Sequence, residues 1–241
     1  MGPNAPNPAD AWSEVVTLAA GFAHEIKNPL STISLNLQLL EEDWQNPTTP
    51  REQRTLKRLQ TLQRETTRLV GLLEDFLRYA RTQDVQLQPC QLNQIVQEVL
   101  DFVGPQAARL RIQIRSAFDP ALPVLRADPK LLKQALLNLA INAEEAMPEG
   151  GELLVRTALD GAFARIDVTD TGVGIPPQNL GRIFKVYFST KEGGSGLGLP
   201  TARRIVELHG GTIEVESEPR RGTHFTLRLP IAPSQPEEDP S

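Results

Sequence analysis

Residues 82–91 read Thr-Gln-Asp-Val-Gln-Leu-Gln-Pro-Cys-Gln, a polar stretch with one proline that separates two kinds of hydrophobic patterning. On its N-terminal side, Phe22, Ile26, Ile33, Leu37, Leu40 and Trp44 recur at three-, four- or seven-residue steps, the spacing of one face of a long helix. After the break Gln45-Asn46-Pro47-Thr48-Thr49-Pro50, a second series runs Leu56, Leu59, Leu62, Thr66, Leu69, Leu73, Phe76 and Ala80 with near-heptad spacing. Two such helices joined by a short loop make an antiparallel hairpin, and a hairpin cannot cover both of its own apolar stripes. A second copy is expected to cover them, giving a homodimer built on a four-helix bundle.

On the C-terminal side the periodicity changes. Apolar residues alternate in Arg111–Arg115, Glu152–Thr157, Ala164–Thr169, Thr212–Glu216 and Phe225–Leu229, which predicts strands. Asp160-Gly161 and Pro219–Gly222 predict hairpin turns, and Lys130–Met147 and Pro200–His209 carry helical spacing. The expected fold class is α+β: a helical hairpin domain over 10–84, then an α/β sandwich over 90–231 with a mixed sheet and helices on one face. Two modest domains suit a chain of 241 residues.

Composition narrows the function. Lys and Arg number 25 against 30 Asp and Glu, a formal charge of −5. So weakly acidic a chain lacks the concentrated positive field that non-specific binding to nucleic acid or anionic membrane needs. The longest apolar run, Val15–Ala23, is interrupted by Thr17 and Gly21 and falls well short of the roughly 20 residues that span a bilayer, so no membrane span is expected. Cys90 is the single cysteine, which excludes an intrachain disulfide and fits a reducing, cytoplasmic setting.

His24 lies two positions after Phe22 and two before Ile26, so at about 100° per residue it points away from the stripe those residues define. Glu25 is adjacent and Asn28 follows one turn later on the same face. Pro29 removes an amide donor and crowds the Glu25 carbonyl, so the helix should be bent or loosened there. A lone surface histidine on a helix is ordinarily just solvated. A proline inside a strongly periodic helix costs about 3 kcal/mol, which a plain bundle has no reason to carry.

Three further segments could hold a ligand. Asn138 and Asn142 lie one turn apart among leucines and alanines. Asp170-Thr171-Gly172-Val173-Gly174-Ile175-Pro176 ends a predicted strand with an acid and two glycines, where backbone can approach a ligand, although such a segment could equally be only a turn. Lys191-Glu192-Gly193-Gly194-Ser195-Gly196-Leu197-Gly198-Leu199-Pro200 leads glycines and a lysine into a helix start, the makings of a phosphate site or of a plain linker. Gly194, Gly196 and Gly198 are spaced G-x-G-x-G, so the dinucleotide fingerprint fails, and the P-loop and H-R-D/D-F-G kinase motifs are absent.

Ala23-His24-Glu25-Ile26-Lys27-Asn28-Pro29-Leu30 resembles the phospho-acceptor segment of sensor histidine kinases of two-component systems. The ordered set of asparagine helix, Asp170 segment, Phe184–Lys191, glycine lid and Gly222-Thr223 resembles the ATP-binding domain shared by histidine kinases, gyrase, mismatch-repair and heat-shock ATPases. The resemblance implies that His24 receives the γ-phosphoryl group of ATP, that Glu25 acts as base and orienting partner, and that Asn28 positions a water for dephosphorylating a partner. It places Mg2+ on Asn142 with Asn138 nearby, and adenine against Asp170, Gly172, Gly174 and Ile175. Phosphates go to Lys191 and the lid residues Gly194, Ser195, Gly196, Leu197 and Gly198, and Thr223 lies at the adenine end. The related ATPases carry a glutamate where this chain has Asn138, and an amide cannot activate water, so ATP is expected to await His24.

The implied partners are a second copy, the receiver domain of a response regulator and, since no sensing segment precedes the hairpin, a separate sensor protein or the remainder of a longer chain. Two other readings stay open: a phospho-aspartate phosphatase first and foremost, or a non-catalytic, ATP-gated dimer scaffold.

Overall fold

The computed structural model describes the backbone of residues 8–81, 85–191 and 194–231, with side chains over 26–78, 85–191 and 194–231. Two compact units result, one helical and one mixed.

The helical unit is α1 (Pro8–Asp43) and α2 (Pro50–Arg81). Pro29 sits inside α1, which runs on through it without interruption. Just beyond it, Ser31 and Thr32 donate their hydroxyls to the carbonyls of Lys27 (2.9 Å) and Asn28 (3.2 Å), back-bonding of the kind that bends helices. The start of α2 is set by a capping box. The Thr49 hydroxyl accepts from Glu52 N–H at 3.2 Å, and Glu52 accepts from the N–H groups of Thr49 (3.1 Å) and Thr48 (2.7 Å), with Pro50 in the first helical position. Those backbone donors hold the Glu52 carboxyl below its ordinary pKa.

Across the hairpin, Lys27 pairs with Glu74 at 2.5 Å, and Gln63 donates to Ser34 at 3.2 Å. Leu37 and Thr66 are buried, but Ile33, Leu40, Leu62 and Leu69 of the predicted stripes stay about half exposed within a single chain. One hairpin therefore leaves an apolar surface uncovered.

The second unit is built on a sheet ordered β2-β4-β5-β7-β6, from β2 (Ile112–Ala117), β4 (Gly151–Asp160), β5 (Phe163–Asp170), β7 (Gly222–Pro230) and β6 (Thr212–Glu218). β2 and β4 run parallel and the other pairs antiparallel, so the sheet is mixed as expected. Successive rows place Val155, Val168, Phe225 and Val215 side by side, then Thr157, Ile166, Leu227 and Ile213, all on the face that packs on α3 (Leu92–Arg109), α4 (Pro129–Ala146) and α6 (Gly198–Leu208). The opposite face carries polar pairs, among them Arg165 on Asp167 at 3.0 Å and Arg228 on Asp160 at 3.1 Å and Glu214 at 2.8 Å.

Four elements were not individually marked by the sequence. α3 buries Leu92, Ile95, Val96, Val99, Leu100, Val103 and Ala107, a long apolar stripe inside a region read only as short helices mixed with alternating segments. β1 (Gln88–Cys90) pairs antiparallel with β3 (Leu125–Ala127), so the end of the polar connector is already a strand. Three residues are too few to show alternation, and their partner is far along the chain. A single helical turn, α5 (Pro177–Leu180), follows the Asp170 segment.

On α4, Glu144 is 8% exposed and its Oε1 has no hydrogen-bond partner among the described residues. Burial, with Glu145 adding to it, raises the Glu144 pKa above 4.5. Its ionised form therefore disfavours the folded state, so the stability it contributes below its unfolded pKa is lost as pH rises through the folded value. Thermal denaturation of Glu144→Gln should give a higher melting temperature than the parent at pH 7.5, with the difference narrowing toward pH 4. A parent protein that melts higher at every pH would contradict this account.

Candidate functional site

The site begins with the cap of α4. Asp128 Oδ1 accepts from the N–H groups of Lys130 (3.0 Å) and Leu131 (3.2 Å), and Pro129 occupies the first helical position. From that start, Asn138 and Asn142 fall one turn apart on a single face, both partly buried.

Asp170 ends β5 and is 3% exposed. A buried carboxylate must be satisfied, and its Oδ1 accepts from Gly172 N–H at 2.8 Å and Thr223 N–H at 3.2 Å. The register explains the second bond: Leu153, Asp170, Thr223 and Ser217 stand side by side across four strands. Ser217 Oγ accepts from Ile175 N–H at 2.8 Å and donates to the Gly222 carbonyl at 2.8 Å. Val173 N–H reaches the Ala146 carbonyl at 3.0 Å, and Arg220 N–H reaches the Val173 carbonyl at 2.8 Å. The loop after Asp170 is thus laced to the end of α4 on one side and to the β6–β7 turn on the other.

Glycine is required where these backbones meet. At Gly222 (φ +93°) a Cβ would lie 1.9 Å from the Asp170 carbonyl oxygen, and at Gly174 (φ +69°) it would lie 2.1 Å from that of Glu218. No side chain fits in either place.

The glycine-rich segment enters α6 at Gly198, where an added Cβ would sit 4.0 Å from Asn138, so the start of α6 lies against the asparagine face of α4. Gly196 accepts from Tyr187 N–H at 3.1 Å, and Tyr187 itself has φ +62°. Phe184 packs edge-on against Phe225 with centroids 6.5 Å apart, and the Arg203 guanidinium of α6 lies 5.5 Å from the Phe184 ring centre.

The structure therefore brings Asp170, Gly172, Gly174, Ile175 and Thr223 together, and separately sets Gly198 against Asn138, with Asn142 on the same helix face and Leu197 buried beside Gly198. Lys191, Gly194 and Ser195 stand outside this compact unit, and Gly194 N–H reaches the Lys191 carbonyl at 3.3 Å. His24 and Glu25 lie on the backbone of α1, and their side chains fall outside the described residues. Asn28 is exposed on the same helix. Ser217 was not singled out from sequence; its signal was its place opposite Thr223 across the Pro219–Gly222 turn.

A chain with a helical hairpin followed by a sandwich that has an asparagine helix, a buried strand-end acid and a glycine-rich segment matches known proteins. Residues 127–233 match the family described as histidine kinase-, DNA gyrase B-, and HSP90-like ATPase, and residues 15–85 match the His Kinase A (phospho-acceptor) domain. Sensor histidine kinase ZraS of Escherichia coli K12 is 39% identical over 214 residues, which is 89% of this chain and 45% of that protein. The solved structure of full-length ShkA in complex with AMPPNP superposes with a TM-score of 0.71 at 30% identity, covering 91% of this chain and 47% of that one. The catalytic domain of histidine kinase ThkA is 30% identical with a TM-score of 0.57, covering 61% of this chain and 97% of that domain. The same kinase in complex with the response regulator protein TrrA matches at 26% identity with a TM-score of 0.66, over 91% of this chain and 63% of that one. The chain belongs to the histidine kinase family and has the make-up of its catalytic core. It spans less than half the length of ZraS.

Steric demand at the glycines is directly testable. Gly222→Ala should destabilise the protein by at least about 2 kcal/mol in urea denaturation. Gly161→Ala serves as control: it shares a positive φ of 62° but has nothing within 4 Å of its added Cβ. It should cost only about 1 kcal/mol. Equal costs would show that the backbone approach at Gly222 is unimportant.

Proposed function

We propose that the chain is a protein-histidine kinase that uses ATP to phosphorylate His24 and then passes the phosphoryl group to an aspartate of a response-regulator receiver domain. The observation that carries this reading is the buried Asp170 carboxylate, held by two backbone N–H groups at the start of a loop tied to the end of α4, in a chain whose first domain matches the phospho-acceptor family. Asp170 offers an acceptor suited to an exocyclic amine at a ligand's base end, and Thr223 and Ile175 line the same end. The glycines at 194, 196 and 198 offer backbone N–H groups to phosphates, with Lys191 as countercharge.

An ordinary imidazole has a neutral, nucleophilic form available near pH 7, and that is the chemistry asked of His24. One ring nitrogen attacks the γ-phosphorus, the bond to the β–γ bridging oxygen breaks, and ADP leaves with that electron pair. Glu25 takes the proton released from the ring. Asn138 supplies no carboxylate to activate water, so hydrolysis does not compete. The amide oxygen of Asn142 is a hard donor of the kind Mg2+ accepts, and Mg2+ keeps much of its shell from water and phosphate oxygens, so no carboxylate cluster is required of the protein. When bound, Mg2+ neutralises phosphate charge.

Support for the nucleotide comes from the AMPPNP complex of ShkA, and for the receiver partner from the ThkA complex with TrrA. The exposed leucines of the hairpin support a homodimer. No described helix is long and apolar enough to cross a membrane. The reading places the domain in the cytoplasm, where ATP is available, and assigns Asn28, exposed on α1, to positioning water for dephosphorylating the receiver.

Incubation with Mg2+ and γ-labelled ATP should give an acid-labile, alkali-stable label on the protein. His24→Ala should reduce labelling to background while leaving nucleotide affinity within about twofold, since it removes the acceptor and not the binding site. Label persisting on another residue would sink the assignment. Asn28→Ala should keep autophosphorylation but slow release of phosphate from the receiver by about tenfold or more.

A further inference from the structure

His209 follows the last residue of α6 and is 6% exposed. Its Nε2 lies 2.9 Å from the backbone nitrogen of Asp128, and its Nδ1 lies 2.7 Å from the carbonyl oxygen of Ile205. A backbone N–H can only donate and a carbonyl can only accept. The ring is therefore neutral, with its proton on Nδ1 donated to Ile205 and its Nε2 accepting from Asp128. Burial lowers the His209 pKa, in keeping with the neutral form.

These contacts sit at a structural crossing. α4 is capped by Asp128 and reaches Asn138 ten residues after that cap; α6 starts at Gly198, against Asn138, and is followed by His209, against Asp128. The two helices thus lie antiparallel, with contact points about 15 Å apart. At the Asn138 end the residue of α6 is a glycine, which has no side chain with which to fix the alignment. At the other end the imidazole makes a directional bond between buried groups. Asp128 adds a third strut, because its Oδ2 accepts from Gln86 N–H at 3.1 Å while its Oδ1 caps α4.

We infer that His209 is a positioning residue for nucleotide binding: its bond to the Asp128 amide sets the alignment of α6 on α4, and so places the lid end of α6 against the Asn138 face. The inference rests on the nucleotide reading above. A short helix moves as a rod, so freeing its far end shifts the lid end, although His209 itself touches no ligand. By reciprocity, nucleotide that holds the lid end must also hold the far end.

Two substitutions separate this role from simple helix capping. In His209→Gln the side-chain oxygen can reach the place of Nε2 and keep the bond from Asp128 N–H. In His209→Asn the amide nitrogen takes the place of Nδ1 and keeps only the local bond to Ile205. Affinity of the full chain for Mg2+ with AMP-PNP is measured by calorimetry, and melting temperature is measured without nucleotide. His209→Asn should weaken affinity by about tenfold and His209→Gln by no more than about threefold, whatever the order of their melting temperatures. Equal affinities in both variants, or loss in Gln with retention in Asn, would overturn the inference. Absence of binding by the unmodified chain would instead overturn the nucleotide reading itself. A measurement that needs no variant accompanies these: saturating Mg2+ with AMP-PNP should slow hydrogen exchange of the Asp128 amide by about fivefold or more, and an unchanged rate would also overturn it.

Discussion

A carboxylate at the end of a buried strand cannot be left alone, and the second unit is organised around that constraint. Asp170 accepts from Gly172 and Thr223, which turns the chain back immediately after β5 and fixes where β7 must begin beside it. Those two bonds bring backbone so close that side chains are excluded at Gly174 and Gly222. Ser217 then ties the outgoing loop to the neighbouring hairpin by accepting from Ile175 and donating to Gly222. Acid, glycines and hydroxyl are one device. It leaves a fixed polar floor at one end of an otherwise apolar layer.

Around this floor the helices do separate jobs. α4 carries the asparagine face and is started by Asp128. α6 carries the lid glycine and ends on His209, which returns to Asp128. The aromatic contact between Phe184 and Phe225, with Arg203 over the Phe184 ring, joins the segment before the lid to the sheet and to α6. Burial of apolar area supplies stability here, while directional bonds between a few buried polar groups decide which of several compact arrangements is adopted. Gln134 and Glu144 of α4 are exceptions, each with a buried side-chain polar atom that has no partner among the described residues.

The helical unit obeys a different balance. Its helices are started and stopped by local chemistry, as the Thr49–Glu52 capping box shows, and each has one apolar stripe. Packing two stripes together buries Leu37 and Thr66 but leaves Ile33, Leu40, Leu62 and Leu69 facing outward. A surface of that kind marks an association face. The polar outer face of the five-stranded sheet makes the contrast, because its half-buried and buried positions there are filled by the paired charges of Arg165, Asp167, Arg228 and Asp160.

Much of this was present in residue order alone. Helical spacing, strand alternation, the Asp160-Gly161 turn and the His24 and Asp170 segments depend on neighbours within a few positions, and local steric and hydrogen-bonding rules decide them. The mixed sheet with helices on one face followed from these. What residue order could not decide were pairings between distant segments: β1 with β3, Ser217 beside Thr223, and the imidazole of His209 on the amide of Asp128. A three-residue strand or a single hydrogen bond leaves no periodic trace, because its partner is chosen only when the packed layers fix the register between elements far apart in the chain.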